Sequence, residues 1–173
     1  SAGFIGGAVG TALEHAGHEV VRVDLMLPLA HGAADAPEGT HRLDVRDAAG
    51  WGYLLSGVDV VDHQAAVVGA GVRVGDLPEY AGHNDLGTAA LLSAMHDAGV
   101  HRLVLASSMV VYGEGRYACP EHGDRAPGPR PIEALEAGVF ENRCPDCDRL
   151  LDWALVDEEA RLDPRSGYAA SKV

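Results

Sequence analysis

Small and apolar positions recur at helical spacing through FIGGAVGTALEHAG (4–17), and Gly17 supplies a C-terminal stop, so a helix is expected there. The next stretch, HEVVRVDL (18–25), reads as a short buried strand ending in an acid, Asp24. THRLDVRD (40–47) predicts a second strand ending in Asp44, AAGWGYLLSGV (48–58) a short helix, and DVVDHQAA (59–66) a third strand. LPEYAGHNDLGTAALLSAMHDAGV (77–100) carries apolar residues one helical turn apart and stops at Gly99, and HRLVLASS (101–108) predicts a further strand. Strands alternating with helices at this spacing call for right-handed crossovers. The expected fold class is therefore α/β, a doubly wound parallel sheet covered on both faces.

From Gly113 to Gly167 the pattern changes. The segment is rich in Pro, Gly, Arg and acids, and its one weak helical run is PIEALEAGVF (131–140). It is too long for an ordinary loop and should carry its own organising element.

Composition narrows the field without naming an activity. The chain has 173 residues, 47% apolar and 23% charged, which suits a folded soluble domain. No apolar run approaches the roughly 20 residues that span a bilayer. A formal charge of −13 argues against a nucleic-acid or anionic-membrane surface. The basic residues are 12 Arg and one Lys, Lys172. The three cysteines, Cys119, Cys144 and Cys147, form an odd set without an export signal, so a reducing cytoplasm is expected.

In SAGFIGG, Gly3 and Gly6 are three apart and open a helix, as the last two glycines of a G-x-x-G-x-x-G turn would. Such a turn lets backbone approach a pyrophosphate, with the helix N-terminus facing the anion. Asp24 ends the next strand, 18 residues after Gly6, where a carboxylate would accept the adenosine ribose hydroxyls and favour NAD over NADP. Further on, Ser108 ends a strand, and YAASK (168–172) sets Tyr168 and Lys172 four apart on one expected helical face. A tyrosine is a poor base at neutral pH, but a neighbouring cation favours the phenolate. A serine hydroxyl beside it can hold the same substrate oxygen. The alternatives are a structural glycine turn and an exposed strand-end acid.

The long segment holds a second signal. CPEH (119–122) and CPDC (144–147) are two tight turns 21 residues apart that use every cysteine. Cys119, His122, Cys144 and Cys147 make a set suited to tetrahedral zinc, with no position left for a substrate. That reading is a closed structural site; its alternative is unpaired surface thiols. His15, His18, His31, His96 and His101 are expected to be solvated, and Trp51, Tyr53 and Trp153 to pack.

In their order, AGFIGG, VDL, LDVRD, DHQAA, HNDLGT, LASSMVVYG and YAASK resemble the extended short-chain dehydrogenase/reductase family, and within it the sugar-nucleotide epimerases and dehydratases. The resemblance covers 1–112 and 167–173. It implies a Rossmann-like NAD-binding domain over 1–112 and 168–173, interrupted by a zinc-ribbon-like module over 113–167. It also implies that Gly3, Phe4, Ile5 and Gly6 bind the pyrophosphate, Asp24 the ribose, and Asp44 and Val45 the adenine. Gln64, Ala65 and Ala66 would line the cofactor with Asn84 nearby, and Ser108, Tyr168 and Lys172 would act on a nucleotide-sugar substrate, the last two also touching the cofactor. The family begins with a further strand and glycine and continues into a substrate domain, so these residues are expected to be a fragment, inactive alone. A homodimer through the 77–100 helix and the helix near Tyr168 is expected of the full-length protein.

Departures from the family pattern narrow the chemistry. Where the dehydratases carry an Asp-Glu pair, this chain has Met109 and Val110, which disfavours loss of water. The cysteine-bearing segment resembles that of the bacterial dTDP-L-rhamnose 4-epimerase subgroup. A 4-epimerase is the first expectation. A dehydrogenase or reductase of the same family, or a non-catalytic NAD-binding or interaction protein, stays open beside it.

Overall fold

The computed structural model describes residues 1–71 and 73–173. They divide into two compact units: Ser1–Ser107 with Ser166–Lys172, and Ser108–Arg165.

In the first unit the elements follow the expected order. They are α1 (Phe4–His15), β1 (Arg22–Asp24), α2 (Pro28–His31), β2 (Thr40–Arg42), α3 (Ala48–Trp51), β3 (Val61–His63), α4 (Leu77–Tyr80), α5 (Gly87–Ala98) and β4 (Leu103–Leu105). In the second unit β5 (Arg116–Cys119), β6 (Gly123–Asp124), α6 (Ile132–Glu136) and β7 (Asp152–Ala154) follow, and α7 (Gly167–Ala170) returns to the first.

The expected parallel pairing is present, and among the described residues it forms two separate pairs. β1 pairs with β2, Val23 opposite His41, and β3 pairs with β4, Asp62 opposite Val104. Among the described residues no strand joins the two pairs. Each ladder spans three residues, which is why the strands are shorter than the apolar runs that encode them. A strand lasts only as long as its partner, because an unpaired backbone polar group gains nothing from extended geometry. On β4 the side chains of Val104 and Leu105 are correspondingly about half exposed.

The core of this unit is built where α3 and α5 meet the strands. Ala48, Trp51, Leu55, Leu91, Ala94, Met95 and Val100 are buried together, with Val23, Leu43, Val61 and Leu103 packed against them. Trp51 packs as expected and its indole N–H donates to the Asp44 carbonyl at 2.7 Å. Of the 77–100 stretch, residues 77–98 are helical but not uniformly so. Ala81–Leu86 is a π-helical insertion between α4 and α5, and Gly99 closes α5 in the left-handed region, φ 72°.

The second unit is antiparallel, in the order β6-β5-β7, with Cys119 opposite Gly123 and Tyr117 opposite Trp153. Trp153 is exposed rather than packed. The 131–140 run is reduced to the five residues of α6.

Candidate active site

The glycine turn is open. Gly3 caps α1 without a side-chain bond, so the first-turn amides of Phe4, Ile5 and Gly6 keep no intrahelical partner; the first helical bond closes Gly7 N–H on Gly3 at 2.7 Å. Phe4 and Ile5 are exposed, and a Cβ on Gly6 would meet the Ser1 backbone at 3.1 Å. Free amides at the N-terminus of a twelve-residue helix form a place for an anion.

Asp24, at the end of β1, is tied to this turn. One carboxylate oxygen accepts from the Ala2 amide and the Ser1 amino group, both at 2.8 Å; the other accepts from the Met26 amide at 2.8 Å and faces His31 Nε2 at 3.3 Å. His31 is thus packed against an acid rather than solvated. Burial disfavours the charge, but the donated bonds outweigh it and hold the Asp24 carboxyl at about 2.

Asp44 is also engaged locally. It accepts from the Arg46 amide at 2.9 Å and pairs with the Arg46 guanidinium at 2.6 Å, which lowers its pKa. Val45 packs on the core, and Gln64 donates to Asp62 at 2.8 Å, while Ala65 and Ala66 follow β3 in a loop.

Asn84 draws these parts together from inside the π-helical turn. It is buried, accepts from the Val67 amide at 2.8 Å, donates to the Val67 carbonyl at 3.0 Å and donates to Ser171 Oγ at 2.8 Å. The loop after β3 and the segment carrying Tyr168 and Lys172 are therefore held by one amide. Tyr168 stacks obliquely on the buried Tyr80, ring centres 5.8 Å apart, and Gly71 O accepts from the Gly167 amide. The helix around Tyr168 is shorter than the sequence suggests: α7 ends at Ala170, and Lys172 closes by a three-residue bond to Ala169. Lys172 is half-buried, which lowers its pKa, and Ser107 Oγ donates to its carbonyl at 2.7 Å. His63, missed in the sequence, is buried with Nε2 3.0 Å from Thr88 Oγ1; burial first, and the Lys172 charge second, keep it neutral to lower pH.

Ser108 belongs to the second unit, where it caps a 3-10 turn, Met109–Tyr112, its Oγ accepting from the Val110 amide. In that unit Cys119, His122, Cys144 and Cys147 converge, with their ligand atoms all within 4.8 Å of one another. Cys119 Sγ lies 3.5 Å from His122 Nδ1 and 3.7 Å from Cys147 Sγ, and Cys144 Sγ lies 3.6 Å from His122 Nδ1. Burial raises the Cys119 thiol, but the Glu121 amide, the His122 side chain and amide, and Cys144 bring it down to about 6.

A family model described as the NAD dependent epimerase/dehydratase family matches residues 1–134. Among curated proteins, a dTDP-L-rhamnose 4-epimerase of Burkholderia thailandensis is 33% identical over 150 residues, 81% of this chain and 41% of that protein. A UDP-glucose 4-epimerase of Streptomyces lividans is 36% identical over 116 residues, 65% of this chain and 35% of that protein. The chain thus spans roughly two fifths or less of these two relatives. Among solved structures, a UDP-glucose-4-epimerase from Stenotrophomonas maltophila with NAD and formylated UDP-arabinopyranose matches with TM-score 0.65 at 27% identity, over 99% of this chain and 43% of that one. A Thermus thermophilus UDP-glucose 4-epimerase with NAD matches at 28% identity and TM-score 0.62, over 99% of this chain and 45% of that one.

Proposed function

The chain belongs to the NAD-dependent epimerase/dehydratase family, and from that premise we propose that it is the cofactor-binding part of a nucleotide-sugar 4-epimerase. The observation that carries the reading is Asn84, whose side chain bonds both Val67, beyond the Gln64–Ala66 loop, and Ser171 of the Tyr168–Lys172 segment. A cofactor wall and a proton-transfer pair are thereby tied together.

The residues present fit NAD. The uncapped first turn of α1 offers Phe4, Ile5 and Gly6 amides to a pyrophosphate, Gly6 lets the Ser1 backbone lie close, Gly3 leaves the mouth of the turn open, and Asp24 stands at the turn for the ribose. Asp44 and Val45 serve the adenine, and Gln64, Ala65 and Ala66 line the rest. When bound, NAD would take the C4 hydrogen with its electron pair and return it. Tyr168 takes the proton of the C4 hydroxyl and gives it back; Lys172 stabilises the phenolate; Ser108 holds the same oxygen. Met109 and Val110 have no group able to expel water, which supports epimerisation over dehydration.

The substrate we propose is dTDP-L-rhamnose. The rhamnose epimerase relative aligns over 150 residues of this chain, against 116 for the Streptomyces UDP-glucose enzyme. The full gene product, incubated with NAD and dTDP-L-rhamnose and followed by proton NMR, should invert C4 with no net NADH. Accumulation of NADH would instead support a dehydrogenase, and no reaction would discard this sugar.

We also propose zinc at Cys119, His122, Cys144 and Cys147. Tetrahedral zinc, with Zn–S of about 2.3 Å and Zn–N of about 2.0–2.1 Å, sets two sulfurs about 3.8 Å apart and a sulfur and a nitrogen about 3.6 Å apart. The separations here are 3.7 Å, and 3.5 and 3.6 Å. A disulfide needs about 2.05 Å. Cobalt(II) substitution should give the visible thiolate and tetrahedral bands, and their absence would remove the site. Three free thiols suit a cytoplasmic home, and the exposed Leu86 and Leu92 of the 81–98 helical stretch suit a homodimer in the full-length protein.

A further inference from the structure

Resting on the reading that the four residues hold a metal, we infer that the Ser108–Arg165 unit folds only when the metal is bound, and that metal loss also opens the clasp beside Ser108.

The unit has almost no core of its own. Its buried cluster is Cys119, Cys144 and Leu151, with Tyr117 and Cys147 packed against it, so three of the five are ligands. Meanwhile Met109, Ile132, Phe140, Leu150, Trp153 and Leu155 are exposed. A segment of 58 residues that buries so little apolar surface does not offset its conformational entropy without a cross-link. The regular structure is equally thin, two and three paired residues in its ladders and five in α6.

The two ligand turns lie far apart in the chain, and besides the ligands they are joined by the three-residue β5–β7 ladder, by Leu151 against Cys119 and Cys144, and by surface ion pairs. The second turn is closed on itself: Cys144 N–H donates to Arg149 at 2.8 Å, Asp148 to Cys144 at 2.9 Å and Leu151 to Asn142 at 3.0 Å. Between the turns run the ion pairs Arg125–Asp146, 2.6 Å, and Arg149–Glu121, 2.8 Å. Both are exposed, and such pairs contribute little. A metal bonded to all four residues is the strong link.

At the other end the unit is clasped next to Ser108. The Asp163 amide donates to Val111 at 2.8 Å, Arg165 pairs with Asp163 at 2.7 Å, and Arg130 pairs with Glu114 at 3.0 Å. With the metal gone, the clasp must close a loop of about fifty disordered residues by itself, and the Asp163–Val111 and Arg165–Pro127 bonds, one buried Val111 and partly exposed ion pairs do not meet that entropy. The metal thereby governs the order of the turn that carries Ser108.

Amide exchange read by mass spectrometry on the zinc-loaded chain tests this, before chelation, after it and after zinc is restored, with zinc measured by elemental analysis throughout. The expected result is about one zinc per chain. On chelation, peptides from 116–154 and from 109–114 should exchange as unfolded chain while those of α5 and β3 keep their protection, and zinc should reverse the change. Zinc removed with 116–154 still protected would overturn the inference. So would loss of protection in 116–154 with 109–114 still slow, which would sever the metal from the clasp. Failure to find or bind zinc at all would remove the four-ligand premise and the inference with it, leaving the epimerase reading untouched.

Discussion

Asn84 Nδ2 donates to Ser171 Oγ at 2.8 Å across 87 residues of chain, while the same side chain holds both backbone groups of Val67. One buried amide satisfies three partners, and its place in a π-helical turn is what aims it inward. Asn84→Ala should cost roughly 1–3 kcal/mol, since the Val67 amide and carbonyl lose their partner. A urea titration checks this, and an unchanged midpoint would show that Val67 finds other partners.

Gly71 is the second point where the Tyr168 segment is held closely. Its φ is +67°, and a Cβ there would fall against the backbone nitrogen and Cβ of Tyr168. Gly71→Ala should therefore strain the turn and push Tyr168 away from Tyr80. In the full gene product kcat should fall with KM for the nucleotide sugar little changed. A variant with wild-type kcat would separate Tyr168 from the reaction.

Asp24 has two tasks in this reading, closing the glycine turn and meeting the ribose. Asp24→Ala should weaken NAD binding and narrow the preference for NAD over NADP, because a carboxylate repels a 2′-phosphate. Calorimetric affinities for both cofactors give the ratio. A lower NAD affinity with the ratio preserved would assign Asp24 to the turn alone.

Acid should expose the same residue through stability. In a chain that starts at Ser1, whose amino group is the strongest donor to it beside the Met26 and Ala2 amides, Asp24 titrates at about 2 against a usual 3.8, so its folded state binds fewer protons than the unfolded one. The stabilisation is present in full above the unfolded value, near pH 4, and is lost as pH falls through about 2. Asp24→Asn lacks this stabilisation. The stability gap between wild type and variant, from urea midpoints between pH 6 and 2.5, should shrink toward acid; a constant gap would contradict the assignment.

Much of the candidate site can be read from the chain because its signals are local. The uncapped turn at Gly3, the strand-end Asp24 and the paired CPEH and CPDC turns each depend on a few adjacent residues, whose backbone preferences act before any tertiary contact. His63 with Thr88, Ser107 with Lys172, and His31 with Asp24 were not legible in this way. Each is a meeting of distant residues with no spacing rule to announce it.

The alternation of helix and strand, the parallel pairing and the gathering of three cysteines and a histidine into two tight turns were determined by the sequence alone, since periodicity and turn chemistry are properties of neighbouring residues. Only the tertiary structure decided that the strands form two separate pairs of three-residue ladders, that α7 stops at Ala170, and that Asn84 is a tie inside the protein rather than a surface amide. Strand length and buried hydrogen bonds depend on which distant backbone arrives alongside, and that is set by the path of the whole chain.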